Sequence, residues 1–151
     1  MKLAKWFYRG GRPNWLATIA NRCSAAVHAL GIAPNYLATL EVRGRRSGRT
    51  VSLPLVMAVV DGERYLVSML GPESDWVKNV EAAHGDAVIR QGRRRRAHLV
   101  EVPTQQRAPI LREYVRIASS GRQHFPLPVG APLSEFEAIA GRYPVYRIDP
   151  A

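Results

Sequence analysis

Between Val42 and Pro54 the chain reads VRGRRSGRTVSLP, with arginines at 43, 45, 46 and 49, glycines at 44 and 48, and no acidic residue between Glu41 and Asp61. Guanidinium groups grip phosphate or carboxylate through paired N–H donors, and a glycine-containing turn can aim backbone N–H groups at the same anion. Arg45, Arg46, Ser47 and Gly48 therefore read as a hairpin tip that binds a ligand with several negative groups. A second cluster, Arg93 to Arg96, lies in extended sequence, where neighbours point to opposite faces. At most half of it can serve one site, and a solvated strand end is its simpler explanation. The stretch SMLGPESDWVKN joins a strand end, a Gly-Pro loop and a helix start, with Trp76 and Asn79 one turn apart. A helix N-terminus offers free N–H donors and an indole a flat wall, although Trp76 is as readily explained as core.

Something must position these groups, and 151 residues with 46% hydrophobic content suffice for one domain with one core. The expected organisation is a single domain over 1–151, with 1–31 as a helical N-terminal segment. A formal charge of +10 predicts an anionic partner without choosing among nucleic acid, membrane surface and small molecule. Base-stacking recognition needs aromatics interleaved with the cations, and neither arginine cluster has them, so nucleic acid is not expected. The single cysteine, Cys23, excludes an internal disulfide, and the four histidines lack metal-ligand spacing. No apolar run reaches the roughly 20 residues a spanning helix needs, and the start lacks a secretory signal pattern. The expected location is cytoplasmic, with peripheral membrane contact through the cationic and aromatic segment Lys2 to Arg12 as a further option.

Asn14 can cap a helix with apolar positions at Leu16, Ile19, Cys23, Val27 and Leu30, stopped by Gly31. From Tyr36 the pattern changes to strands: YLATLEV, TVSLPLVMAVV, RYLVSML after Asp61-Gly62, DAVIRQ and RAHLVEV about Gln91-Gly92, and finally YPVYRI. Pro54 cannot donate a ladder hydrogen bond and so marks an edge, a bulge or a corner. Helices are expected from Ser74 or Asp75 to Gly85, from about Gln105 to Ala118, and around Glu135 to Ala140. About six strands with hairpin-length connections favour an α+β, mainly antiparallel barrel flanked by helices over a doubly wound sheet. No Gly-x-Gly-x-x-Gly or P-loop is present.

In order and rough spacing, GRRSGRTVSLPL, DGERYLVSML, SDWVKNV and YPVYRI resemble the deazaflavin-dependent nitroreductase family of actinobacteria, which uses coenzyme F420. The resemblance spans about Leu37 to Ile148. It implies a split β-barrel and hydride transfer from the reduced deazaflavin to an electron-poor acceptor: a quinone, enone, nitroaromatic or lipid-like molecule. Because the deazaflavin carries carbon at the reacting position, it behaves as a two-electron carrier, and its side chain bears a phosphodiester and glutamates. By position, Arg45, Arg46, Ser47 and Gly48 match the phosphate-contacting turn, Pro54 borders the ring, and Trp76 and Asn79 match the helix on the other side. Where many members have Gly-x-Pro-Arg this chain has Gly48-Arg49-Thr50-Val51, so Arg49 is the partial substitute for a missing second phosphate arginine.

Ser68 is the expected catalytic residue, as a hydrogen-bond partner near the reacting carbon rather than a nucleophile, since no base lies beside it. An ungapped match puts Leu70 there instead, on the same strand face. Phe125, Phe136, Tyr143 and Tyr146 are candidates for an apolar acceptor pocket as well as for core. The alternatives are a non-catalytic deazaflavin carrier and an FMN-dependent reductase; a sequence-independent nucleic-acid binder ranks last. Split barrels exist as monomers and homodimers, and both states are open here.

Overall fold

The computed structural model describes residues 36–118 and 125–151. The expected helix over Asn14 to Leu30, the segment Lys2 to Arg12, Cys23, His28 and His124 lie outside the described residues. Six strands, β1 (Leu37–Arg43), β2 (Thr50–Val60), β3 (Glu63–Val67), β4 (Asp86–Gln91), β5 (Arg93–Glu101) and β6 (Val145–Pro150), close into a barrel in the order β1-β2-β3-β6-β5-β4. Every neighbouring pair is antiparallel. The described helices are α1 (Asp75–Ala82), α2 (Ala108–Ile117) and α3 (Leu133–Ile139), with short 3-10 turns at Thr104–Gln106 and Ala140–Arg142. This is the expected split barrel.

Strand side chains alternate between faces, and the barrel has an apolar set on each. Inside lie Leu40 and Val42 of β1, Met57 of β2, Leu66 of β3, Ile89 of β4, Leu99 of β5 and Ile148 of β6, together with Trp76, Val77 and Val80 of α1. Helix α1 thus closes one end of the barrel. On the outer face, Val56, Ala58 and Val67 are covered by α2 and α3 through Leu111, Val115, Phe136 and Ile139. Burying each large side chain of this kind contributes about 1.5–3 kcal/mol, so both faces are needed for stability.

Strand β3 ends earlier than RYLVSML suggests. It pairs with β2 only over Met57 to Val60, and at Ser68 the chain turns away, with the Ser68 N–H donating to the Pro144 carbonyl. The half of β2 from Thr50 to Leu55 consequently has β1 as its only strand neighbour, so that Pro54, paired with Thr39, lies along an edge. That stretch is an open, split edge in an otherwise closed barrel. Strand β5 starts earlier than RAHLVEV suggests, because Arg93 to Arg96 pair with Val88 to Gln91. The arginines are strand residues, all exposed.

Candidate functional site

The β1–β2 connection, Gly44 to Arg49, is held by its own backbone. Gly44 N–H donates to the Arg49 carbonyl at 2.7 Å, Gly48 N–H to the Gly44 carbonyl at 2.9 Å, and Arg49 N–H to Ser47 Oγ at 3.1 Å. Gly48 adopts φ +73°, a conformation that glycine takes without a Cβ penalty. These bonds consume most of the turn's donors, contrary to the expectation of a nest aimed outward. Only Arg46 and Ser47 keep backbone N–H groups without a partner among the described residues.

Arg45 does not project into solvent with its neighbours. Its backbone N–H and its Nη1 both donate to Oδ1 of Asn79, at 3.1 and 2.8 Å, while Nη2 pairs with Asp75 Oδ1 at 3.2 Å. Asn79 is 3% exposed, so the hairpin tip is fastened to the face of α1 through a buried carboxamide. Arg46, Ser47, Gly48 and Arg49 are exposed beside this latch. At the start of α1, Ser74 makes no side-chain cap. Its hydroxyl instead donates to Ser68, at 2.9 Å, because the Ser68 hydroxyl already donates to the Gly71 carbonyl, which can only accept, at 2.6 Å.

Ser68 is 1% exposed, and its proton is committed to Gly71. Leu70, expected on the same strand face, instead sits in the turn after β3 and is 52% exposed. Trp76 packs in the barrel interior with its ring edge toward Tyr146, centroids 5.8 Å apart. It supports the site from beneath, as core. Phe125, Phe136 and Tyr143 are buried between the barrel and its outer helices, with Phe125 and Tyr143 at 4.4 Å. Tyr146 lies inside the barrel, where its hydroxyl has no partner among the described residues and burial, then Glu101, push its pKa up. Among the described residues no group of His, Cys, Asp or Glu could hold a metal. No described helix is long and apolar enough to cross a membrane.

Two side chains escaped the reading of the sequence. Glu41, 9% exposed, accepts both Nε and Nη2 of Arg94, at 3.1 and 3.0 Å. Arg107, 6% exposed, donates to the carbonyls of Val102, Ala140 and Tyr143 and to Glu101 Oε1, tying the start of α2 to the approach to β6. Glu41 carried no signal, but Arg107 stands alone between apolar segments, where a single cation is worth checking for carbonyl partners.

The donor set fits a phosphate- or carboxylate-bearing ligand. Arg46, Arg49 and two turn N–H groups are exposed on one hairpin tip, which Arg45 fastens to α1 through Asn79 and Asp75. Asp75, in the first turn of α1, is already paired with Arg45. Solved structures share this architecture. An F420H2-dependent reductase called FDR-A is 18% identical, with a TM-score of 0.50 over 76% of this chain and 94% of that one. A protein of unknown function from Agrobacterium tumefaciens is 11% identical, with a TM-score of 0.56 over 76% of this chain and 48% of the other. A putative 5-nitroimidazole antibiotic resistance protein from Bacteroides thetaiotaomicron is 11% identical, with a TM-score of 0.51 over 82% and 78%. These likenesses define the class by fold, a helix-flanked split barrel. Among curated proteins no match was found. Residues 16–129 match the model of the F420H(2)-dependent quinone reductase family; the chain belongs to that family and is an oxidoreductase that uses coenzyme F420.

Proposed function

We propose that the protein reduces a quinone or a similarly electron-poor acceptor, such as an enone or nitroaromatic, at the split edge of the barrel. The family supports this reading, and the observation that carries it is the exposed cationic tip latched to α1 beside that edge. When bound, the reduced coenzyme supplies a hydride equivalent, and the chain supplies position and exclusion of water. Arg46 and Arg49 hold the anionic side chain, with the N–H groups of Arg46 and Ser47 and the conformation of Gly48 shaping the turn. Arg45 and Asn79 act one step back, as positioning residues that fix the tip. Pro54 borders the ring, since a residue without an N–H leaves no ladder donor on the open edge. Ser68 serves through the turn it holds: its bonds to Gly71 and Ser74 set where α1 begins, and its hydroxyl reaches a ligand only if that turn rearranges. The proton that accompanies the hydride comes from solvent.

The protein is taken to be cytoplasmic, as a monomer or homodimer, with membrane contact resting on the segment before the barrel. A carrier function is the second reading, favoured by the buried and committed hydroxyl of Ser68. Titration of the coenzyme's fluorescence, followed by its oxidation with quinone, enone and nitroaromatic acceptors, separates the two. Binding that weakens in Arg46→Ala plus Arg49→Ala, with steady turnover on a quinone, is expected. Binding without turnover on any acceptor leaves the carrier, and a protein that purifies yellow with FMN and ignores the deazaflavin overturns both.

A further inference from the structure

Met69 directly follows the point where β3 parts from β2. The ladder between the two strands runs from Val60 and Glu63 to Met57 and Leu66. At Ser68 the chain keeps its bond to Pro144, ahead of β6, and folds into a turn closed by the Gly71 N–H on the Ser68 carbonyl at 3.1 Å. The partly exposed Met69 side chain packs against the outer apolar cluster, and its thioether sulfur accepts the hydroxyl of Tyr114 at 3.6 Å. Tyr114 belongs to α2 and is 4% exposed, with its ring 5.7 Å from that of Phe125.

Two features of this contact reach beyond packing. A thioether is a weak acceptor, whereas the oxygen of a sulfoxide is a strong one, so the phenol that touches Met69 would hold its oxidised form better than its reduced form. Access also differs between the methionines. Met57 is sealed in the barrel interior at 0% exposed, so an oxidant that meets the folded barrel reaches Met69 first.

We propose that Met69 is a reversible oxidation site, converted by a peroxide to the sulfoxide, whose new oxygen is held by Tyr114. In that step the peroxide O–O bond breaks, one oxygen bonds to the sulfur, which gives up two electrons, and the other leaves as water. The consequence for activity rests on the quinone-reductase reading. A hydroquinone product passes two electrons and two protons to dioxygen, which regenerates the quinone and supplies hydrogen peroxide near the site. A sulfoxide where the open edge begins replaces an adaptable apolar surface with a polar one. Apolar acceptors are then bound less well, while the arginine tip on the β1–β2 connection keeps its own bonds.

The test treats the folded protein with dilute hydrogen peroxide and weighs its peptides. The Met69 peptide should gain about 16 Da, one oxygen, and lose it again on treatment with methionine sulfoxide reductases, while the Met57 peptide stays unchanged. A Met69 that stays reduced, or a Met57 that oxidises as readily, overturns the site. In the oxidised protein the KM for a quinone should rise about threefold to tenfold with kcat little changed, the sign of weaker binding alone. Met69→Leu, close in volume, should keep its KM through the same treatment. An equal rise in Met69→Leu, or no rise when Met69 is fully oxidised, overturns the effect on the acceptor. Oxidised wild type should melt close to its reduced form, and oxidised Tyr114→Phe clearly below its own, because the sulfoxide then lacks its donor; equal shifts remove Tyr114 from the inference. If the untreated protein turns over no quinone, the quinone-reductase reading fails and the acceptor effect with it, while the peptide masses and melts still decide the oxidation site.

Discussion

Replacing Asn79 by alanine removes the acceptor that fastens the hairpin tip to α1. Two bonds are lost together: one from the Arg45 backbone N–H, worth about 1 kcal/mol, and one from its guanidinium, worth about 1.5–3 kcal/mol as a bond to a charged group. Both donors are half-buried and regain some water, so the net cost should be about 2–3 kcal/mol. For a chain of this size that corresponds to a fall in Tm of roughly 5–10 °C. Arg45→Ala loses only the side-chain bonds, keeps the backbone N–H on Asn79, and should cost about half as much. Asn79→Asp keeps an acceptor for Arg45 and so largely retains Tm, yet it brings negative charge to the anion site. Thermal melts and coenzyme titration of the three variants should give Asn79→Ala as least stable and Asn79→Asp as folded but weak in binding. If Asn79→Ala melts within a degree of wild type and binds the coenzyme normally, the latch has no part in shaping the site.

Three other expectations concern the barrel. Gly85→Ala combines a positive φ of +87° with a Cβ 2.6 Å from the Leu99 carbonyl, and should cost about 3 kcal/mol or more in a denaturant melt; a neutral result would contradict the packing of the α1–β4 turn. Arg94→Ala leaves the largely buried Glu41 without its partner and, because Arg94 is itself exposed, should destabilise by about 1–2 kcal/mol, with Arg94→Ala plus Glu41→Gln recovering part of the loss in chemical denaturation. The Arg147 guanidinium, chiefly by its hydrogen bond, holds the Asp149 carboxyl below its ordinary value of 3.8. A carboxyl depressed in the folded state stabilises above its unfolded pKa and ceases to do so as pH falls through the folded value. The pair is largely exposed, so the Tm difference between wild type and Arg147→Met should be small at neutral pH, begin to shrink only as pH falls to about 4, and disappear below the depressed folded value.

Local signals carried the hairpins and helices well. Asp61-Gly62 and Gln91-Gly92 mark two turns that both form, and the spacing of Trp76, Val77 and Val80 selects the face of α1 that enters the barrel. Strand ends were less legible because pairing decides them. Ser68 to Leu70 continue the β-like composition of β3, but the Ser68 N–H bonds to Pro144, a residue 76 positions later in a segment whose approach no local pattern announces. Arg93 to Arg96 look like a solvated end and are strand because β4 supplies their ladder. The candidate site was legible as a set of residue types, although the division of labour within it was not. Arg45 and Arg46 are adjacent and alike in sequence, yet one is turned inward by Asn79 and Asp75 while the other is exposed.

The insertion of β6 between β3 and β5 has a consequence for biosynthesis. Its partners, Tyr65 to Val67 and Ala97 to Glu101, leave the ribosome well before Val145 to Pro150 do. Until then, two facing ladder edges remain open, and an emerging chain has every chance to pair them with a neighbouring nascent copy. The circle can be completed only after translation has passed residue 150, which makes Val145 to Pro150 the keystone of the whole arch.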